Sequence, residues 1–178
     1  MKRRELEHII RAAADIADDE DIVVLGSQAI LGAFPDAPEE LRVSVEADVY
    51  PKNKTDRADL IDGSIGEGSP FHETYGYYAQ GVGEGTAVLP VDWQQRLIPI
   101  RNANTRGATG WCLEPHDLVL SKYVAARPKD DRFVRAALAA KLVQPATLLE
   151  RLASMPISEP QRQRIRGRIA ADQAKDTE

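Results

Sequence analysis

Two stretches decide how this chain is read: Ile22-Val23-Val24-Leu25-Gly26-Ser27-Gln28-Ala29, and after a gap Val43-Ser44-Val45-Glu46-Ala47-Asp48-Val49-Tyr50. Ile22 to Leu25 is a short β-branched run of the kind that forms a buried strand, and Gly26-Ser27 halts it. Gln28 to Phe34 then predicts a short helix that closes before Pro35. The second stretch alternates at period two, which predicts another strand over Val43–Tyr50. Residues i and i+2 of a strand project to one face, so Glu46 and Asp48 stand side by side while Val45, Ala47 and Val49 face the core.

Two carboxylates at that separation repel and raise each other's pKa unless a cation sits between them. A divalent metal, Mg²⁺ or Mn²⁺, removes the penalty. Gly26-Ser27, placed after a strand and before a helix, exposes backbone N–H groups and a hydroxyl to a phosphate. A phosphate-binding turn with paired carboxylates is the equipment for metal-assisted phosphoryl or nucleotidyl transfer. Each feature alone has a plainer reading, a turn in the first case and a solvated strand face in the second.

Working outward, Arg4 to Ala17 places Leu6, Ile9, Ile10, Ala13, Ala14 and Ala17 on one helical stripe. The acidic cluster Asp18-Asp19-Glu20-Asp21 ends it. Pro35 to Arg42 reads as a loop, and Thr55 to Ile61 as a helix capped by Thr55 or Asp56. Asp62 to Gly85 carries seven glycines and little periodicity, which predicts a long functional or mobile segment. Within it, Ser69 to Tyr78 offers aromatic faces for a base and His72 or Glu73 as proton acceptor. Thr86–Val91, Arg96–Arg101 and Thr109–Leu113 read as strands. From Pro115 the pattern is helical, over Pro115–Ala126, Asp130–Leu142, Pro145–Ala153 and Ser158–Ala171.

Gly26-Ser27-Gln28-Ala29, the strand ending Glu46-Ala47-Asp48-Val49-Tyr50-Pro51, and Asp117-Leu118-Val119-Leu120-Ser121-Lys122 with Lys129-Asp130 resemble nucleotidyltransferase-like proteins related to the AbiEii toxin group. That group is in turn similar to the polymerase-β-type nucleotidyltransferases. The resemblance runs over roughly residues 22–143. It implies an α/β (α+β) fold, a small mixed sheet flanked by helices with a C-terminal helical bundle, divided as a 1–113 core and a 114–178 helical region. It implies that Gly26 and Ser27 hold a nucleoside triphosphate, that Glu46 and Asp48 hold metal, and that Lys122 and Asp130 lie near the nucleotide. A third metal carboxylate is expected on a later strand, and Asp92 is the positional candidate. The first carboxylate of the pattern is usually Asp; in Glu46 the extra methylene moves the oxygens by about 1.5 Å.

The resemblance further implies transfer of an NMP group to an acceptor hydroxyl, on a tRNA end or a protein, and a toxin paired with a cognate antitoxin. A catalytically inactive module that binds a nucleotide or partner protein stands beside this reading. Lys122 reads equally as a lysine snorkelling from an apolar helix, Asp130 as a cap or ion-pair partner, and Asp92 as the cap of the turn into Trp93.

The 178 residues suit one sizeable core. With 23 Lys+Arg against 28 Asp+Glu the net charge is −5, which argues against non-specific DNA binding. The lone Cys112 excludes an internal disulfide and a Cys-rich zinc site. No apolar run approaches the roughly 20 residues of a membrane span, and the N-terminus lacks a secretory apolar core, so a cytoplasmic location is expected. The four arginines Arg162, Arg164, Arg166 and Arg168 split between two helix faces and read as a solvated or partner-facing surface.

Overall fold

In the computed structural model, which describes residues 1–175, the chain folds into a five-stranded mixed sheet covered by helices on both faces. The elements in order are α1 (Arg3–Ala17), β1 (Asp21–Val24), α2 (Ile30–Ala33), β2 (Glu46–Pro51), α3 (Ala58–Ile65), α4 (Pro70–Tyr75), β3 (Tyr78–Gly81), β4 (Ile98–Ile100), β5 (Thr109–Cys112), α5 (Pro115–Ala125), α6 (Pro128–Ala139), α7 (Pro145–Leu152) and α8 (Glu159–Lys175). The strand order is β3-β2-β1-β5-β4. β1 runs antiparallel to β2 and parallel to β5, β2 runs parallel to β3, and β4 runs antiparallel to β5.

The apolar stripe of α1 is buried along its length and packs on the sheet and α3. Leu6, Ile9 and Ile10 have no exposed surface, each worth roughly 1.5–3 kcal/mol by area burial. The helix closes where Asp18 turns left-handed, φ 50°, and its N–H donates to Ala14 O. The acidic cluster beyond it is put to use. Asp19 accepts from the backbone N–H groups of Asn53 (2.7 Å) and Lys54 (3.1 Å), and Asp21 accepts from Trp111 Nε1 (2.7 Å). On the opposite face, α2 packs on β4 and β5, the 3-10 turn Ser27–Ala29 packs on β2, α5 packs on both α2 and that turn, and a cleft opens between β2 and α6.

Several sequence expectations are corrected. Asp62 to Gly85 is no structureless segment: it holds the end of α3, then α4 and β3. Ser69 caps α4 by accepting from His72 N, Pro70 takes the first turn, and Gly76 ends it at φ 76°. The 86–91 strand is absent, because Pro90 removes a donor and Val88 and Val91 stay exposed. The second strand starts at Glu46 rather than Val43; before it, Ser44 Oγ accepts from Glu46 N and turns the chain. Gln28 to Phe34 is a 3-10 turn plus the single-turn α2. The 96–101 strand shortens to β4, a three-residue edge strand with Pro99 at its centre. α6 begins at Pro128, two residues ahead of expectation.

The C-terminal helices are joined to the sheet layer by a buried charge network. Asp117 has no exposed surface and accepts from Arg96 Nε (2.8 Å) and Arg151 Nη1 (3.0 Å). Arg151 also pairs with Glu114, whose carboxylate caps α5 by accepting from the N–H groups of His116 and Asp117. His116 Nε2 in turn accepts from Gln144 N, where α7 begins. The arginines of α8 are not a uniform surface. Arg162 donates to carbonyls of Leu152, Ala153, Met155 and Ile157 at the end of α7, while Arg168 bonds Asp131 and lies over the Tyr123 ring at 5.1 Å. Arg164 and Arg166 alone of the four are exposed.

Replacing Asp117 with Ala leaves Arg96 and Arg151 facing a buried void, and the expected loss is about 3–5 kcal/mol. A urea midpoint equal to that of the parent chain would contradict this account of how the helices are held.

Candidate functional site

β1 ends at Val24, and Leu25 N extends its pairing with β2 by donating to Asp48 O at 2.8 Å. The next residue, Gly26, has φ 61° and ψ −170°, a conformation essentially confined to glycine. A second constraint acts at the same atom: a Cβ on Gly26 would lie 1.9 Å from Asp48 Oδ2 and 2.9 Å from Asp48 Cγ. The Asp48 carboxylate therefore rests directly on the glycine of the Gly-Ser turn. Ser27 follows at the start of its 3-10 turn, beside that carboxylate and in the same cleft.

Along β2 the alternation places Ala47 and Val49 in the core, 1% and 0% exposed, and turns Glu46 and Asp48 to the cleft. No lysine or arginine among the described residues pairs with either acid. Glu46 Oε2 accepts from Tyr78 OH at 3.2 Å. Burial, with the hydrogen bond and charge of Glu46, pushes the half-buried Asp48 up to about 6. Burial and the charge of Glu46 push Tyr78 up to about 12, so its hydroxyl stays a donor at neutral pH.

The opposite wall comes from α5 and α6. Lys122 Nζ donates to Asp130 Oδ1 at 3.1 Å and lies 4.5 Å from the centre of the Phe133 ring. Arg127 Nε donates to Asp130 Oδ2 at 2.6 Å, and Arg127 N donates to the same oxygen at 3.3 Å. Burial opposes ionisation of Asp130, but hydrogen bonds and charge from Arg127 and Lys122 outweigh it and hold the carboxyl below its ordinary value. Burial lowers Lys122, and Asp130 partly offsets this.

Between the walls lies a cleft of about 1130 Å³. Gly26, Ser27, Glu46 and Asp48 line one side; Lys122, Arg127, Lys129, Arg132 and Arg135 line the other. Lys129, Arg132 and Arg135 recur at three-residue spacing along α6, and no side-chain hydrogen bond or ion pair engages them among the described residues. That spacing was legible beforehand, yet its meaning depended on knowing which face of α6 meets the sheet. Gln80 was likewise missed, because no sequence signal paired β3 with β2.

The remaining candidates lie elsewhere. Asp130 is fully buried, and its two oxygens accept from Lys122 Nζ, Arg127 Nε and Arg127 N, which ties it to Lys122 at the wall of the cleft. Asp92 does not line the cleft. It heads the 3-10 turn Trp93–Arg96 at φ 62° and accepts from Gln95 Nε2, while the neighbouring Val91 N is tied to Ser154 O. Phe71, Tyr75 and Tyr77 cluster with His8 of α1 and do not line the cleft, and His72 lies against Tyr78 with ring centres 4.6 Å apart and planes tilted by 50°.

Among the described residues no group of three or more His, Cys, Asp or Glu is placed to hold a metal. Two carboxylates fit Mg²⁺ or Mn²⁺ nonetheless, since such ions are commonly held by one or two carboxylates, waters and substrate phosphates. The repulsion between Glu46 and Asp48 is the feature a cation relieves.

Because the folded-state value of Asp48 lies above the unfolded one, stability of the metal-free chain falls as pH rises from 3.8 toward about 6. Asp48→Asn removes that dependence. The variant should exceed the parent by up to about 2–3 kcal/mol at pH 7.5 and by much less at pH 4.5 in chelator-treated buffer. Equal differences at the two pH values, read by urea denaturation, would refute it. Gly26→Ala strains the left-handed backbone and displaces the Asp48 carboxylate, so it should cost more than about 1 kcal/mol of stability. A urea midpoint equal to the parent's would refute this.

No helix among the described residues is long and apolar enough to cross a membrane. Comparison with curated proteins and with solved structures finds no match in either case. A family model described as nucleotidyltransferase of unknown function matches residues 4–169, which takes in every element of the sheet and both walls of the cleft. On that match the chain belongs to the family of nucleotidyltransferases designated DUF6036.

Proposed function

We propose that the protein is a metal-dependent nucleotidyltransferase acting in the cytoplasm, moving an NMP group from a nucleoside triphosphate to an acceptor hydroxyl. The observation that carries this reading is the Asp48 carboxylate resting on Gly26, across an open cleft from unpaired cations. In the reaction the acceptor oxygen bonds to the α-phosphorus, the bond from that phosphorus to the leaving pyrophosphate breaks, and the hydroxyl proton passes to solvent.

Glu46 and Asp48 would hold Mg²⁺ or Mn²⁺, which when bound supplies charge neutralisation at the phosphates. Gly26 and Ser27 offer backbone N–H groups and a hydroxyl to the β- and γ-phosphates. Lys122, held by buried Asp130, places a fixed positive charge toward the same group, and Arg127 adds a second. Lys129, Arg132 and Arg135 extend the positive wall along α6 beyond what one triphosphate requires. This supports an RNA end as acceptor over a protein side chain, since a phosphodiester chain has charges to place there. The AbiEii resemblance supports a toxin held in check by a cognate antitoxin as the setting.

The test incubates the protein with each labelled NTP, Mg²⁺ and total cellular RNA or protein, beside a Glu46→Gln/Asp48→Asn double variant. Label should pass to RNA, and the double variant should lose at least about 100-fold in rate, as misplacement of reacting groups commonly costs. Transfer that survives in the double variant overturns the metal site. Nucleotide binding without transfer in the parent favours the inactive binding module, a reading the Glu46 departure and its tie to Tyr78 support.

A further inference from the structure

The carboxylate pair lies on β2, and the strand beside it is β3. The two run parallel in a register that opposes Glu46 to Tyr78 and Asp48 to Gln80. Side chains of paired residues on neighbouring strands stand on the same face, with strand axes about 4.8 Å apart. Two observations fix which face this is: Tyr78 OH reaches Glu46, and Ala79, between Tyr78 and Gln80, has no exposed surface. Gln80 is exposed, lines the cleft with Asp48, and makes no side-chain hydrogen bond among the described residues. A polar side chain without a partner among the described residues thus stands beside the inner carboxylate.

We propose that Gln80 is a third metal-binding residue, offering its amide oxygen to the divalent ion held by Glu46 and Asp48. This inference rests on the metal site of the proposed function and extends it. An amide oxygen is a hard, neutral donor that such ions accept beside carboxylates. Its neutrality has a reason in this geometry. Glu46 and Asp48 already repel each other without a neighbouring lysine or arginine paired to them, and a third carboxylate would deepen that repulsion in the metal-free chain. The site gives up some attraction for the free ion in exchange, and phosphate oxygens from a bound nucleotide make up the difference. Metal and nucleotide then strengthen each other's binding by the same factor.

The experiment measures Mn²⁺ binding to the full chain from the loss of the free-ion paramagnetic resonance signal, without nucleotide and without any activity assay. The parent is compared with Gln80→Ala, Gln80→Glu and Asp48→Asn, each first shown by circular dichroism to melt cooperatively. Gln80→Ala should weaken Mn²⁺ binding about fivefold, and Gln80→Glu should tighten it at least as much by adding a charge. Asp48→Asn should nearly abolish binding. If both Gln80 variants bind as the parent does while Asp48→Asn does not, Gln80 is no ligand and the carboxylate site stands. If the parent binds no Mn²⁺, or Asp48→Asn binds it equally well, the carboxylate site falls and the role of Gln80 falls with it. Should Gln80→Glu fail to fold, Gln80→Ala alone decides between these outcomes.

Discussion

The contact between the Asp48 carboxylate and the α-carbon of Gly26 is the constraint around which the rest of the molecule is arranged. It requires that β1 and β2 pair antiparallel up to Leu25 and that the chain then leave the sheet in a glycine-only conformation. Strand alternation buries Ala47 and Val49 in the core and so turns the two acids to the other face. Any side chain at position 26 would push the acid away from the turn.

The second wall is built on the opposite electrostatic rule. On the sheet side two like charges sit without a paired lysine or arginine, and one of them is pushed toward neutrality. On the helix side a fully buried acid is saturated by two cations and a backbone N–H, which fixes Lys122 at the cleft. Breaking that arrangement from one side would leave an uncompensated buried charge, whereas the Glu46–Asp48 pair gains from an added cation. One wall is fully paired as folded; the other leaves its acids without a paired cation.

Much of this was legible in the sequence, for physical reasons that differ by element. The stripe of α1 and the run into Gly26 could be read because their periodicities are those of a helix on a sheet and of a buried strand. The face shared by Glu46 and Asp48 followed from strand alternation alone. What could not be read was pairing: that β3 lies beside β2, which brings Tyr78 and Gln80 to the acids, is a long-range fact with no local signature. Position in the chain misled for Asp92, because the strand thought to carry it does not form around Pro90. Ser69-Pro70 and Gly76 marked α4 clearly by capping chemistry, and the abundance of glycine around them obscured it.

The sheet's outer strands are short: β3 has four residues and β4 has three, with proline in the middle of β4. A neighbouring chain approaching either margin finds few unpaired amides and carbonyls to extend the ladder, and at Pro99 none to donate. Intermolecular strand addition is thereby discouraged, and the association modes left to the protein run through side-chain surfaces.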